Sequence, residues 1–176
     1  MLYTGAGDDG MTKLFDCDQQ RISKSSEVPE ALGALDELNS FIGLVKVKSQ
    51  KGRIFEALRE VQENLFLIQA EIAGAQERIE ESAVGNIESI IHGIEKEIPP
   101  IKKFCIPGGT ETSALLDVAR TLARRAERRI MAARDARACT VSKETIAYIN
   151  RISSLLFALA RLANHLAGVA EETPHY

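Results

Sequence analysis

The chain reads SKETIAYINRISSLLFALARLANHLAGVAE between residues 142 and 171. Apolar residues recur there at alternating steps of three and four, which is the spacing of one helix face packed against a neighbouring helix. The members of this face are Ile149, Ile152, Leu156, Leu159, Ala163 and Leu166. The stretch therefore predicts a long helix suited to close antiparallel packing.

Four similar apolar stripes precede this helix. They predict helices over about 27–48, 53–73, 82–98 and 110–136. Gly52 separates the first two, Pro99 and Pro100 end the third, and a Pro-Gly-Gly turn precedes the fourth. No strand pattern competes, so we expect an all-α fold, a five-helix up-and-down bundle preceded by a glycine-rich N-terminal loop.

Length and composition limit the function classes. The 176 residues suggest one domain over 1–176, with the N-terminal loop at 1–25 and the bundle at 26–172. The net charge of −3 provides no bulk basic field for nucleic acid. No stretch approaches the roughly 18 uncharged apolar residues of a membrane span, and no secretory signal is visible. Three scattered cysteines indicate reduced thiols. We therefore expect a cytoplasmic protein with no membrane or nucleic-acid partner.

The fourth helix carries a strip of arginines. Arg120, Arg124 and Arg128 are spaced by four, so they lie on a strip about 80° wide, and Glu127 falls within it. Three guanidinium groups on one face repel one another unless an anion binds there, and phosphate suits their planar forks of donors. The alternative is a solvated basic face with ion pairs to nearby acids.

Two other helices place polar residues beside apolar stripes. Asp36 lies beside the stripe of the first helix, and Asn150 lies next to Ile149 in the fifth. A buried Asp36 could pair with an arginine of the fourth helix, an arrangement that often serves orientation rather than stability. Asn150 could donate or accept a hydrogen bond at a site. Exposed positions on helix surfaces would explain both residues equally well.

The N-terminal loop contains TGAGDDGMT at residues 4–12. Glycines allow backbone N–H groups to approach a phosphate closely. The loop is no Walker A motif, because Lys-Ser/Thr does not follow the second glycine and no strand precedes the loop. Taken alone, it would be a flexible terminus.

Metal and nucleophilic catalysis find little support. The histidines are His92, His165 and His175, and they do not supply the Glu-x-x-His motifs on two helices that a di-iron bundle needs. No Ser-His-Asp or Cys-His arrangement can be argued from them. We assign no metal ligand.

Six segments, taken together, point to a known family. They are YTGAGDDGMT, RISK, GALDELNS, FCIPGGT, ARTLARRAERR and YINRISSLLF, in that order over about 3–161. This set resembles the PduO-type ATP:cob(I)alamin adenosyltransferases. The resemblance implies a homotrimer of five-helix bundles with active sites between subunits. It also implies transfer of the 5′-deoxyadenosyl group of ATP to the cobalt of cob(I)alamin, which forms adenosylcobalamin and releases triphosphate.

The resemblance also implies the residues that bind ATP. The N-terminal loop would wrap the triphosphate through Thr4, Gly7 and Thr12, with a further phosphate contact from Lys24. Arg124 and Arg128 would bind ATP, with Glu127 holding them, and Asn150 would bond the nucleoside. Mg²⁺ would accompany ATP with few protein ligands.

On the corrinoid side, the resemblance implies that Asp36 pairs with Arg120 and braces the site. Phe104 would be an apolar wedge below the corrin ring that keeps the lower axial ligand off cobalt. Four-coordinate cobalt(II) is easier to reduce to the nucleophilic cob(I) state. A reductase and an adenosylcobalamin-dependent acceptor enzyme are the further partners implied.

This chain departs from the family pattern at a few positions. Gly5 stands where a basic residue is usual, Met11 where a hydroxyl residue is common, and Ser25 and Ser26 where an acidic pair follows the lysine. We expect Lys13 or Lys24 to compensate for the lost cation. Two alternatives stay open: a non-catalytic carrier or regulator of the same fold that binds ATP and the corrinoid, and a helical interaction protein whose arginine strip docks an acidic partner.

Overall fold

The computed structural model describes residues 3–14, 20–49 and 52–175, which form two short strands and five helices. Cys17 of the predicted N-terminal loop lies outside these residues. The strands are β1 (Met11–Lys13) and β2 (Arg21–Ser23), and the helices are α1 (Glu27–Lys48), α2 (Arg53–Ile72), α3 (Glu81–Glu97), α4 (Glu111–Asp135) and α5 (Lys143–Leu166). The predicted all-α five-helix architecture is confirmed.

Side-chain caps fix where the last two helices begin. Thr110 Oγ1 accepts a hydrogen bond from the Ser113 amide at 3.1 Å, and Ser142 Oγ accepts one from the Thr145 amide at 3.2 Å. Each hydroxyl satisfies an N–H group that the first helical turn leaves unpaired. These caps explain why the predicted starts of α4 and α5 agree with the structure.

The end of α5 differs from the prediction. The helix ends at Leu166 rather than near residue 171. Gly168 adopts a φ of 66°, and the Val169 amide donates to the Asn164 carbonyl oxygen at 2.9 Å. A left-handed glycine with this bond is a helix C-terminus that redirects the chain. Residues 167–175 therefore form a tail outside the helix.

One core joins the five helices. Helix α4 packs against α1 and α5, α3 packs against α5, and α2 packs against α1. The inner face of α4 is built from small side chains that are fully buried, namely Ala119, Ala123, Ala126 and Ala133. Small residues let neighbouring helix backbones approach closely, so the arginine strip of α4 lies directly beside the core.

Helix α5 is long and apolar enough, by length and composition alone, to cross a membrane. In the bundle, 61% of the most apolar 18-residue stretch of α5 is buried against the other helices. Core packing therefore accounts for the apolar character of α5, whose charged residues include the buried Arg161.

The N-terminal segment contains a small hairpin that sequence reasoning missed. Strand β1 pairs antiparallel with β2, and Thr12 lies opposite Ile22. Three residues per strand are too few to show a period of two, so no strand pattern was detectable. Arg21 supports the hairpin by donating to both carboxylate oxygens of Asp9, at 2.7 and 2.6 Å.

A buried carboxylate anchors the start of α5. Glu71, 6% exposed at the end of α2, accepts hydrogen bonds from the Ser142 amide at 2.6 Å and from the Thr145 hydroxyl at 2.5 Å. Both donors are close to the N-terminus of α5, where a negative charge is favoured. Glu71 thus joins the end of α2 to the start of α5.

We expect Glu71→Ala to lower the free energy of unfolding by about 2–3 kcal/mol, because it leaves buried donors without their charged acceptor. Thermal unfolding measures the change, and Glu63→Ala at an exposed position of α2 is the matched control. Equal melting temperatures for the two variants would contradict this role of Glu71.

Candidate active site

A cleft of about 890 Å³ opens between the segment before α4 and the outer faces of α4 and α5. Its aromatic residues are Phe104 and Phe157, and its guanidinium groups come from Arg120 and Arg124. The side chain of Phe104 is 79% exposed although it is large and apolar. An exposed aromatic side chain in a cleft of this size provides a binding surface for a large, partly apolar ligand.

The arginine strip differs in its partners along α4. Arg120 donates through Nε to Asp117 Oδ1 at 3.4 Å, and Asp117 is only 8% exposed. Within the described part of the chain, Arg124 and Arg128 make no ion pair or hydrogen bond, and both are exposed. The two unpaired guanidinium groups can therefore meet an anion without first breaking a bond within the chain.

Glu127 and Asn150 connect α4 to α5 at the far end of this strip. Asn150 Nδ2 donates to Glu127 Oε1 at 2.9 Å, and Asn150 Oδ1 accepts from Arg151 Nη1 at 2.9 Å. The Glu127 carboxylate bonds Asn150 here and pairs with neither Arg124 nor Arg128 among the described residues, so its role in holding these arginines stays a prediction. Asn150 is exposed and oriented by both neighbours.

The N-terminal loop brings Gly7 and Lys24 together. Lys24 Nζ donates to the Gly7 carbonyl oxygen at 2.7 Å, and the Lys24 amide donates to the Gly10 carbonyl oxygen at 2.9 Å. A Cβ at Gly7 would lie 2.7 Å from Lys24 Nζ, so a side chain there would displace the ammonium group. The hairpin thus holds a cation over a glycine-rich turn, an arrangement suited to phosphate.

The other loop residues lie around this pair. Thr4 Oγ1 accepts from the Ala6 amide at 3.3 Å, and Thr12 lies on β1. Gly5 has a φ of 68°, a left-handed conformation that strains a residue with a side chain. The Arg21 hydrogen bonds lower the pKa of Asp9, which keeps this carboxylate ionised well below neutral pH. None of the loop residues that the structure describes lines the cleft.

Asp36 lies away from both the cleft and the N-terminal loop. It is exposed and lines a groove between α1 and α2, together with Leu32, Phe66 and Gln69. Asp36 is therefore exposed rather than buried, and Arg120 bonds Asp117 of its own helix; the pairing of Asp36 with Arg120 stays a prediction.

Comparison with known proteins decides the family. The cobalamin adenosyltransferase sequence profile matches residues 2–163. The chain belongs to the cobalamin adenosyltransferase family. The corrinoid adenosyltransferase of Bacillus subtilis (strain 168) is 36% identical over 97% of this chain and 90% of its own length. One from Citrobacter freundii is 38% identical over 92% of this chain and 93% of its own length.

A longer relative and a solved structure give the same family. Corrinoid adenosyltransferase PduO of Citrobacter freundii is 36% identical over 93% of this chain, which spans 50% of that protein. A variant PduO-type ATP:corrinoid adenosyltransferase from Lactobacillus reuteri, complexed with cobalamin and ATP, has a TM-score of 0.89 at 31% identity. The comparison covers 99% of this chain and 97% of that one. The resemblance read from the six segments is confirmed.

Two polar residues near the cleft, Asp117 and Asn164, were not singled out by sequence reasoning. Asp117 Oδ2 accepts from the Gly108 amide at 3.3 Å. Asn164, 6% exposed, accepts from the Thr110 amide and donates to the Gly108 carbonyl oxygen, both at 2.9 Å. Gly109 is in contact with the Asn164 amide, and a Cβ at Gly109 would collide with it. These bonds fix the PGG turn, and an asparagine beside the apolar stripe near the end of α5 was the available signal.

The two cysteines that the structure describes, Cys105 and Cys139, are free thiols. Burial raises the pKa of the Cys105 thiol beside the cleft, and burial also raises the pKa of the Cys139 thiol. Both are therefore neutral thiols at neutral pH and poor nucleophiles. Among the described residues, no group of three or more His, Cys, Asp and Glu side chains could hold a metal ion.

Proposed function

We propose that the protein transfers the 5′-deoxyadenosyl group of ATP to the cobalt of cob(I)alamin, forming adenosylcobalamin and releasing triphosphate. Membership of the cobalamin adenosyltransferase family supports this reaction. The observation that carries it is the cleft itself, where the exposed Phe104 shares one cavity with Arg120 and Arg124. An apolar surface and cationic groups in one cavity suit a corrinoid next to a nucleotide triphosphate.

The reaction needs no nucleophile from the protein. The electron pair of cob(I)alamin forms the new Co–C bond at C5′ of ATP, the C5′–O bond breaks, and its electron pair leaves on triphosphate. The protein contributes by holding the two substrates in line and by stabilising the charge of the leaving triphosphate. The neutral thiol of Cys105 in the cleft is consistent with such a role.

Separate groups of residues divide these tasks. Arg124 and Arg128 bind the triphosphate, together with Lys24 and the backbone around Gly7 in the N-terminal loop. Thr4 and Thr12 add hydroxyl contacts in that loop. Asn150 bonds the nucleoside, and Glu127 orients the Asn150 side chain by accepting its 2.9 Å hydrogen bond. Phe104 occupies the lower face of the corrin ring and keeps the lower axial ligand off cobalt.

The site is completed by a second copy of the chain in a homotrimer. The loop residues and Asp36 lie outside the cleft that contains Arg120 and Arg124. Placing the α1–α2 groove of one subunit against the cleft of the next would bring Asp36 to Arg120. A complete site then requires assembly, which explains why one chain leaves the predicted binding residues in separate places.

We expect the native mass to be three times the chain mass of 19.3 kDa. Asp36→Arg should weaken association, because it places two cations together at the interface, and Arg120→Asp in the same chain should restore it. Light scattering measures both. If Asp36→Arg leaves the trimer unchanged, Asp36 and Arg120 do not pair between subunits.

Lys24 is the expected substitute for the cation lost at Gly5. Its ammonium group is already held against the loop, whereas Lys13 is exposed on β1. Lys24→Ala should raise KM for ATP by roughly tenfold, in line with the loss of a charge-assisted hydrogen bond, and Lys13→Ala should leave KM unchanged. The reverse result would assign the role to Lys13.

The remaining partners follow from the substrates. Mg²⁺ reaches the site on ATP, held by phosphate oxygens and water. The protein works in the cytoplasm as a single domain over 1–176, with a reductase that supplies cob(I)alamin and an acceptor enzyme that uses the product. None of these steps needs a membrane or a nucleic acid.

Product analysis tests the proposed reaction. Transfer from C5′ releases one triphosphate for each adenosylcobalamin formed, whereas an ATPase releases phosphate. Equal amounts of triphosphate and adenosylcobalamin, with none in the absence of cob(I)alamin, are expected. Binding of ATP and corrinoid without formation of either product would instead indicate a non-catalytic carrier. The replacement of the usual basic residue by Gly5 would then explain the missing activity.

A further inference from the structure

The tail after α5 folds back over the segment that carries Phe104. The Ile106 amide donates to the Glu172 carbonyl oxygen at 2.8 Å, and Pro174 lines the cleft. Phe104 itself is 79% exposed, so packing of its own ring does not hold it in place. Its position depends on how firmly residues 99–109 are fixed.

One buried guanidinium group connects the tail, α5 and this segment. Arg161 is 8% exposed, and it donates to Glu171 Oε1 through Nε at 2.6 Å and to Glu171 Oε2 through Nη2 at 2.9 Å. Nη2 also donates to the Pro99 carbonyl oxygen at 2.8 Å. Glu171 Oε2 in turn accepts a long bond from Cys105 Sγ at 3.7 Å.

The Arg161 side chain is 9% exposed and that of Glu171 is 27% exposed, so burial of this pair costs mainly the hydration of the guanidinium group. Replacing a buried ion pair by apolar residues is often neutral or stabilising, so stability alone is a weak reason for it. The geometry instead favours a positioning role, since a planar guanidinium group bonding three acceptors fixes the directions of the groups around it. Neither Arg161 nor Glu171 lines the cleft, so both act through the segment.

We propose that the Arg161–Glu171 pair positions Phe104 below the corrin ring by fixing the C-terminal tail against residues 99–109. Arg161 and Glu171 are positioning residues, and Phe104 makes the contact. This inference rests on the proposed function, because it assigns a task within that reaction.

The test uses the full-length variants Glu171→Gln and Arg161→Met. Glu56→Gln removes the same charge from an exposed pair with Arg59 on α2 and serves as the matched control. Amide hydrogen exchange of the peptide over 101–109 reports whether the segment loosens. Electron paramagnetic resonance of cob(II)alamin with ATP reports the ratio of the four-coordinate to the five-coordinate form, because only the latter shows coupling to a lower nitrogen ligand.

Both variants should exchange faster over 101–109 and lower the four-coordinate to five-coordinate ratio roughly tenfold, the size expected for a lost charge-assisted contact. KM for ATP, the exchange of α4 amides and the Glu56→Gln control should stay unchanged. A wild-type ratio in variants with a loosened segment, or unchanged exchange, would overturn the inference. A higher KM for ATP together with faster amide exchange in α4 would overturn the inference too, because the ion pair would then stabilise the bundle as a whole. If the wild-type protein forms no four-coordinate cob(II)alamin and no adenosylcobalamin, the proposed function fails first.

Discussion

Replacing Phe104 by alanine is expected to slow the reaction that starts from cob(II)alamin by roughly 30- to 150-fold. The lower axial ligand must leave cobalt before reduction, and contact of an apolar ring with the corrin face offsets this cost. Burial of a phenylalanine side chain contributes about 2–3 kcal/mol, which corresponds to that range of rates. Steady-state rates with a chemical reductant measure the effect.

The same variant contains its own control. Cob(I)alamin has no lower ligand to displace, so Phe104→Ala should retain most of the rate from cob(I)alamin and an unchanged KM for ATP. Phe104→Leu keeps apolar bulk and should lose less than Phe104→Ala. An undiminished rate from cob(II)alamin in Phe104→Ala would show that Phe104 does not exclude the lower ligand.

Arg124→Ala is expected to raise KM for ATP by roughly 10- to 150-fold, because hydrogen bonds to charged groups contribute about 1.5–3 kcal/mol. Arg124 is exposed and makes no ion pair among the described residues, so its loss breaks no contact within the chain. The melting temperature without ATP should therefore stay unchanged, while stabilisation by ATP should fall.

Arg134→Ala is the matched control for this prediction. Arg134 lies ten residues further along α4, about 15 Å from Arg124, where it pairs with Asp135. Its replacement should change neither KM nor the response to ATP. Equal effects of the two substitutions would mean that the positive charge of α4 acts generally rather than at a bound triphosphate.

The helices were predictable because local signals agreed with the packing. The alternating three-and-four spacing from Ile149 to Ala163 corresponds to residues that are buried in α5, whereas Leu166 at the end of the helix is exposed. The caps at Thr110 and Ser142 were also visible in the sequence. The end of α5 was missed because its apolar pattern continues past Gly168, where the left-handed backbone ends the helix.

The candidate site was only partly predictable. Regular spacing placed Arg120, Arg124 and Arg128 on one strip, and Arg120 and Arg124 do line the cleft. The partners of polar residues followed from tertiary contacts that spacing does not encode, such as Glu127 with Asn150 and Arg161 with Glu171. Asp36 lines a different groove from the cleft that contains Arg120, so their pairing stays a prediction.

The most direct test of the central claim is a visible spectrum of chemically reduced cobalamin mixed with ATP, Mg²⁺ and this protein. The account predicts loss of the cob(I)alamin band and growth of the adenosylcobalamin spectrum, with no change when ATP is omitted. A persistent cob(I)alamin band, in protein whose melting temperature rises with ATP, would contradict the transferase activity and leave a binding protein.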